Sequence, residues 1–93
     1  MEFEWDDAKR EINLQTHGVD FSRAKLIWRL PCFDPAETRV ESGELRYKAI
    51  GAAPDDGNLV LAVVYTLRNG TYRIISARAA SKRERRDYHN AMG

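Results

Sequence analysis

The sequence predicts a small α+β domain: an antiparallel sheet with two N-terminal helices on one face and a C-terminal helix, in the order β-α-α-β-β-β-α. Three observations predict it. From Leu45 onward apolar residues recur with the period of two that marks strands, in "LRYKAIGA", "LVLAVVYTL" and "TYRIISARA". Asn69-Gly70 separates the last two runs, and Asn-Gly between strand-like runs is the strongest short hairpin signal. Capping residues bracket helical patterns at both ends of the chain: Asp6 with Gly18, then Ser81 with Glu84.

Taken in order, "EFEW" alternates, with Phe3 and Trp5 on one face and Glu2 and Glu4 on the other, and reads as a short edge strand. Asp6 stands at an N-cap position, "DAKREINLQTH" follows as helix, and Gly18 supplies a left-handed stop. A second helix starts near Asp20 and runs through "FSRAKLIWRL", burying Phe21, Ala24, Ile27 and Trp28 before Pro31 ends it. "DPAETRVESGE" is a loop with room for a short strand. "LRYKAIGA" places Leu45, Tyr47 and Ala49 opposite Arg46 and Lys48. "APDDGN" is a turn that does not set a register. "LVLAVVYTL" is apolar on both faces, as a central strand is. The last helix opens with the S-x-x-E capping box and has a thin apolar face of Tyr88 with Ala91 or Met92.

Ninety-three residues with 43% hydrophobic content suit one domain spanning 1–93, with a modest core. No apolar stretch is long enough to span a bilayer, so no membrane partner is expected, and the acidic start does not read as a signal peptide. Cys32 is the only cysteine, which rules out an intramolecular disulfide and fits a cytoplasmic setting. Cys32, His17 and His89 are scattered without zinc-ligand spacing, no carboxylate pair has metal-site spacing, and there is no Gly-rich phosphate loop. Neither metal nor cofactor is expected. The net charge of +1 hides a segregation: residues 1–45 carry six basic and ten acidic side chains, residues 46–93 nine and four. A basic half of this kind suits a polyanion or faces the acidic half.

The Asn69-Gly70 turn pairs Arg68 with Thr71, Leu67 with Tyr72, Thr66 with Arg73 and Tyr65 with Ile74. One face then carries Leu67, Tyr72, Tyr65, Ile74 and Val63 as core. The other carries Arg68, Thr66 and Arg73, joined by Arg46 and Lys48 if the neighbouring strand buries its apolar side on the same core. Arg78 falls on the wrong face under strict alternation, so it lies either past the strand end or beyond a bulge. Lys82, Arg83, Arg85 and Arg86 crowd the positive end of the last helix, at a cost of up to about 0.3–1 kcal/mol each, which suggests an anion nearby.

An open basic sheet face invites RNA, because arginine both grips phosphate and stacks on bases. Metal-free RNA cleavage needs a group to take the 2′-OH proton, one to protonate the 5′ oxygen, and cations for the charged phosphorane. Arg73, Arg78 and Arg46 suit the last task. Arginine is a poor proton acceptor, which leaves His17, His89, Lys9, Glu44 and the tyrosines. Each residue also has a plain structural reading. His17 suits a helix C-terminus on electrostatic grounds alone. Arg46, Lys48 and the Lys82–Arg86 run suit solvated surfaces, and Arg73 suits a salt bridge to Glu44 or another carboxylate. Trp5 and Trp28 read as core.

Three segments carry a family resemblance. "FEWDDAKREINLQTHGVDFSRAKLIW" resembles the opening of the BrnT toxins, with its W-D-x-x-K-x-x-x-N-x-x-x-H-G pattern. "GELRYKAIG" resembles their G-E-x-R-aromatic-x-x-I-G strand, and "RIISARAASKRERRDYH" their R-I-I-S-A-R-x-A…E-R-x-x-Y ending. The resemblance implies a RelE-like fold and a metal-independent endoribonuclease that inhibits translation and growth. It also implies a cognate BrnA-like antitoxin with a ribbon-helix-helix DNA-binding domain, in a heterotetramer built on an antitoxin dimer. Arg46, Arg73, Arg78, Lys9 and His17 lie in the matching motifs, with Glu44, Ser76, Glu84 and Tyr88. The expected roles are Arg73 and Arg78 on the scissile phosphate with Arg46 beside them, and Lys9 or His17 in proton transfer. Lys48, Arg68, Lys82 and Arg83 are expected to bind RNA, and Glu44, Ser76 and Tyr88 to orient the cations or hold the sheet. The alternatives are a non-catalytic RNA-binding module and an inactive partner subunit of a protein complex.

Overall fold

The computed structural model describes residues 1–93. In chain order the elements are β1 (Phe3–Glu4), α1 (Asp7–His17), α2 (Phe21–Ala24) continued by a 3-10 helix (Lys25–Arg29), β2 (Arg39–Glu41), β3 (Glu44–Ala53), β4 (Asp56–Arg68), β5 (Thr71–Ala79) and α3 (Lys82–Met92). The strands form one sheet in the order β1-β5-β4-β3-β2. β1 runs parallel to β5 and every other pair is antiparallel.

The caps act as their residue types dictate. Asp6 accepts from the backbone N–H of Ala8 and Lys9, and Gly18 closes α1 at φ 71°, its N–H bonded to Leu14 O. Ser81 and Glu84 make both arms of the capping box on α3. Asp20 caps α2 and takes a two-point fork from Arg10 at 2.9 and 2.7 Å, which ties the two N-terminal helices together.

Three features depart from the expected layout, and one open point is settled. The single second helix is α2 followed by a 3-10 turn. Its buried residues Phe21, Ala24 and Ile27 are spaced by three, the repeat of a 3-10 helix. The 34–44 segment does contain the short strand it had room for, β2, because Ser42 and Gly43 both adopt positive φ (52° and 76°) and form a hairpin turn like Asn69-Gly70. The "APDDGN" turn does set a register: Ala53 pairs with Asp56, with a shift between Ala52 and Ala53. The core under the N-terminal helices is also shorter than expected. Val63 and Ile74 are buried there with Phe21, Ile27 and Leu61, but Leu67 is 45% exposed and Tyr65 and Tyr72 are half-buried. The helices end before the hairpin turn does.

Over that uncovered end the rings pack on one another. Tyr65 stacks on Tyr47 and Tyr72 with centroids 5.5 and 5.1 Å apart, and Trp28 meets Tyr65 and Tyr72 edge-on. Burial in this cluster pushes the Tyr65 hydroxyl up to about 12. On the opposite face a smaller core of Ile50, Ala52, Val60 and Ala62 lies under Tyr88 of α3. Ala91 and Met92 stay exposed, so α3 docks through one aromatic side chain and its own N-terminus.

One side chain substitutes for a missing strand. β1 pairs with β5 only at Tyr72 and Arg73, which leaves the outer edge of β5 bare beyond them. The buried Asn13 of α1 fills it. Its Oδ1 accepts from Ala77 N–H at 3.1 Å, and its Nδ2 donates to Ala77 O at 2.8 Å and to Val19 O at 2.9 Å. Asn13→Ala leaves a buried N–H and C=O without partners, and is expected to destabilise the domain by about 2–4 kcal/mol. The measurement is the urea unfolding midpoint, which falls while the slope stays constant.

Candidate active site

β5 carries a bulge, and the bulge builds the site. Tyr65 pairs with Ile74 as the turn dictates, but Val64 pairs with Ser76, so Ile75 is an extra residue with no partner. The shift settles the position of Arg78. It pairs with Ala62 and falls on the same face as Arg73, which pairs with Thr66. Tyr47 pairs with Tyr65 and Lys48 with Val64, so Arg46 and Lys48 lie on this face too. Three rows cross it: Arg46, Thr66 and Arg73; Lys48, Val64 and Ser76; Ile50, Ala62 and Arg78. Arg68 lies beyond them at the turn.

None of these cations stands free. Arg46 bonds Glu41 at 2.6 Å, Arg68 bonds Glu44 at 3.0 Å and Arg73 bonds Glu4 at 3.1 Å. Lys48 bridges Glu37 at 2.7 Å and Glu84 at 3.0 Å. Arg78 grips Glu84 through both terminal nitrogens, at 2.6 and 3.0 Å. The sequence suggested Glu44 as a partner for Arg73; Glu4 takes that place because β1 pairs it directly with Arg73. Arg46 keeps one donor unused, its Nε being buried with no hydrogen-bond partner.

Glu84 differs from the other carboxylates. Only 13% of its side chain is exposed, against 42–55% for Glu4, Glu37 and Glu41. The hydrogen bonds from Arg78 hold its carboxyl well below the usual range against the opposing effect of burial, with help from Ser81 N–H and Lys48. Arg78 is raised by the same bond. Burial alone would lower Lys48, but its bonds to Glu37 and Glu84 leave it raised. The capping box was legible in the sequence. The further use of the same carboxylate to hold two cations was not, because those cations arrive from different strands.

The bulge also joins two concavities. One of about 200 Å³ is lined by Glu37, Arg39, Glu41, Arg46, Lys48 and Val64. The other, about 250 Å³, is lined by Lys9, Ile12, Asn13, Thr16 and His17. Ile75 and Ser76 line both. Lys9 and His17, on one side of α1 at helical spacing, therefore face Arg46 and Lys48 across the bulge, whereas Arg73 and Arg78 flank the two concavities along β5 without lining either. Arg83 borders a third hollow with Lys48, Glu84 and Asp87, its side chain 81% exposed, whereas Lys82 lines none of the three. No group of three His, Cys, Asp or Glu residues is placed to hold a metal ion, and no helix is long and apolar enough to cross a membrane.

A protein-family model described as the ribonuclease toxin BrnT of type II toxin–antitoxin systems matches residues 5–84. The crystal structure of the Brucella abortus ribonuclease toxin BrnT superposes with a TM-score of 0.64 at 27% identity, covering 88% of this chain and 99% of that one. No curated protein sequence matches.

Because the Glu84 carboxyl titrates lower in the folded chain than the ordinary value of about 4.3, its contribution to stability is complete above that value. It is lost as the pH falls through the lower, folded value. Glu84→Gln is expected to cost about 1–3 kcal/mol at pH about 7. The gap between the two proteins stays constant down to pH about 5 and closes below pH about 4, measured by urea unfolding across that range.

Proposed function

Since the chain belongs to the BrnT family of ribonuclease toxins of type II toxin–antitoxin systems, we propose that it is a cytoplasmic endoribonuclease that cuts RNA without a metal ion, halts translation and growth, and is neutralised by a cognate antitoxin. The observation that carries this reading is the pair of concavities around the Ile75 bulge, with arginine and lysine on one side and Lys9 and His17 on the other.

RNA supplies its own nucleophile. The 2′-oxygen attacks the adjacent phosphorus, the bond to the 5′ oxygen breaks, and the products are a 2′,3′-cyclic phosphate and a 5′-hydroxyl. The proton leaving the 2′-OH goes to a base, and an acid returns one to the 5′ oxygen. Arg73 and Arg78 grip the scissile phosphate and stabilise the charge of the phosphorane, with Arg46 beside them. Lys9 or His17 handles the protons. Lys48 and Arg68 hold flanking phosphates on the sheet, and Lys82 and Arg83 hold RNA near the start of α3.

RNA entering this face must displace carboxylates, and the exposed ones, Glu4, Glu37 and Glu41, are the cheaper to move, because exposed ion pairs contribute about 0–1 kcal/mol. Carboxylates already seated on these cations also favour an antitoxin that presents acidic side chains here. The family resemblance makes that antitoxin a BrnA-like protein with a ribbon-helix-helix domain, in a heterotetramer built on an antitoxin dimer.

Brief induced expression in bacteria is expected to arrest growth and create new RNA ends across many messages, and coexpressed antitoxin to restore growth. Both effects are expected to vanish with a folded Arg73→Ala/Arg78→Ala double variant, as mapped by RNA-end sequencing. Cleavage by the purified protein survives EDTA. Full cutting by the double variant would remove these residues from the site, and intact RNA with normal growth would favour a binding module.

A further inference from the structure

We propose that Glu84 is a positioning residue for RNA cleavage: its carboxylate fixes Arg78 and Lys48 at one point above the sheet, so that both meet the same stretch of substrate. The inference rests on the ribonuclease reading of this face. Four donors converge on the two oxygens. Ser81 N–H and Arg78 Nη1 reach Oε1 at 2.9 and 2.6 Å, and Arg78 Nη2 and Lys48 Nζ reach Oε2, each at 3.0 Å. Lys48 comes from β3, Arg78 from β5 and Glu84 from the first turn of α3, so one carboxylate sets the spacing of cations from two strands. A long cation on an exposed strand otherwise wanders among rotamers. A two-point fork with a carboxylate that is itself held by a helix cap removes that freedom before substrate arrives. Arg78 still has 41% of its side chain open to solvent, so it is held without being covered, whereas Lys48, 14% exposed, meets substrate once the exposed Glu37 has left it.

A positioning role separates binding from cutting. Removing the charge of Glu84 makes the face one unit more positive, so RNA binds at least as well, while a misplaced Arg78 slows the reaction by about 10- to 100-fold. The test compares the wild type with Glu84→Gln, which retains an acceptor for Ser81 N–H, and with Glu84→Asp, which keeps the charge but is too short to span both cations. Ser81→Ala, which weakens the same helix cap and leaves the fork intact, is the control. Binding is measured with a single-stranded 2′-O-methyl RNA oligonucleotide, which has no 2′-OH and cannot be cut. Cutting is measured as new RNA ends per molecule of expressed protein, at a temperature where circular dichroism shows each variant folded.

The expected result is undiminished binding with sharply reduced cutting for Gln and Asp, and near-normal cutting for Ser81→Ala. Wild-type cutting by either folded Glu84 variant overturns the inference. So does a parallel loss of binding and cutting, or an equal loss in Ser81→Ala, since each marks a merely structural role. A wild type that makes no new ends overturns the ribonuclease reading itself, and the inference with it.

Discussion

The outer edge of β5 needs hydrogen-bond partners, and the way it obtains them organises the molecule. β1 is too short to cover it. Asn13 completes the edge with a side-chain amide, which has the donor and acceptor of a peptide group in the right separation to imitate one. Because that amide belongs to α1, the helix is bolted at a fixed height along the strand. Lys9 and His17, four residues before and after Asn13 on the same helix, are carried to the bulge by this single connection. The bulge lies two residues from the clasp, between the Arg73 and Ala77 positions. Clasp and bulge together decide which side chains face one another.

The charges on the open face are close to balanced, and this shapes both folding and function. Pairs with half-exposed carboxylates contribute little to stability and are screened by salt. Their value lies in keeping five cations on one surface without mutual repulsion until a polyanion replaces the carboxylates. Glu84 belongs to a different class. It is mostly buried, its four donors are well aligned, and it links α3 to the sheet where that helix has only Tyr88 to offer hydrophobically. The basic run at the start of α3 is tolerable for a related reason: Glu84 and Asp87 supply negative charge in the first two turns.

Much of the fold was legible in the residues because its signals are local. Asp6, Gly18, Ser81 with Glu84, and Asn69-Gly70 each act on backbone a few residues away, so each was read correctly. β2 was harder to read, since Ser42-Gly43 is a weaker turn signal and its strand is only Arg39–Glu41. The change from α2 to a 3-10 turn has no single-residue marker. It follows from packing Phe21, Ala24 and Ile27 against the sheet. Leu67, Tyr65 and Tyr72 looked like core because alternation reveals which face a residue occupies, not how far the covering helices extend.

The sequence by itself determined the fold class, the register of the β4–β5 hairpin near its turn, the collection of Arg46, Lys48, Arg68 and Arg73 as basic strand residues, and the motifs that place the chain in its family. Tertiary structure alone decided where Arg78 points, which carboxylate each cation meets, and that α1 brings Lys9 and His17 to the same bulge. The reason is physical. Alternation and capping are properties of neighbouring residues. A bulge exists only once two strands have paired and one of them carries an extra residue, and an ion pair between Glu84 and Lys48, 36 residues apart, exists only once the chain has closed on itself.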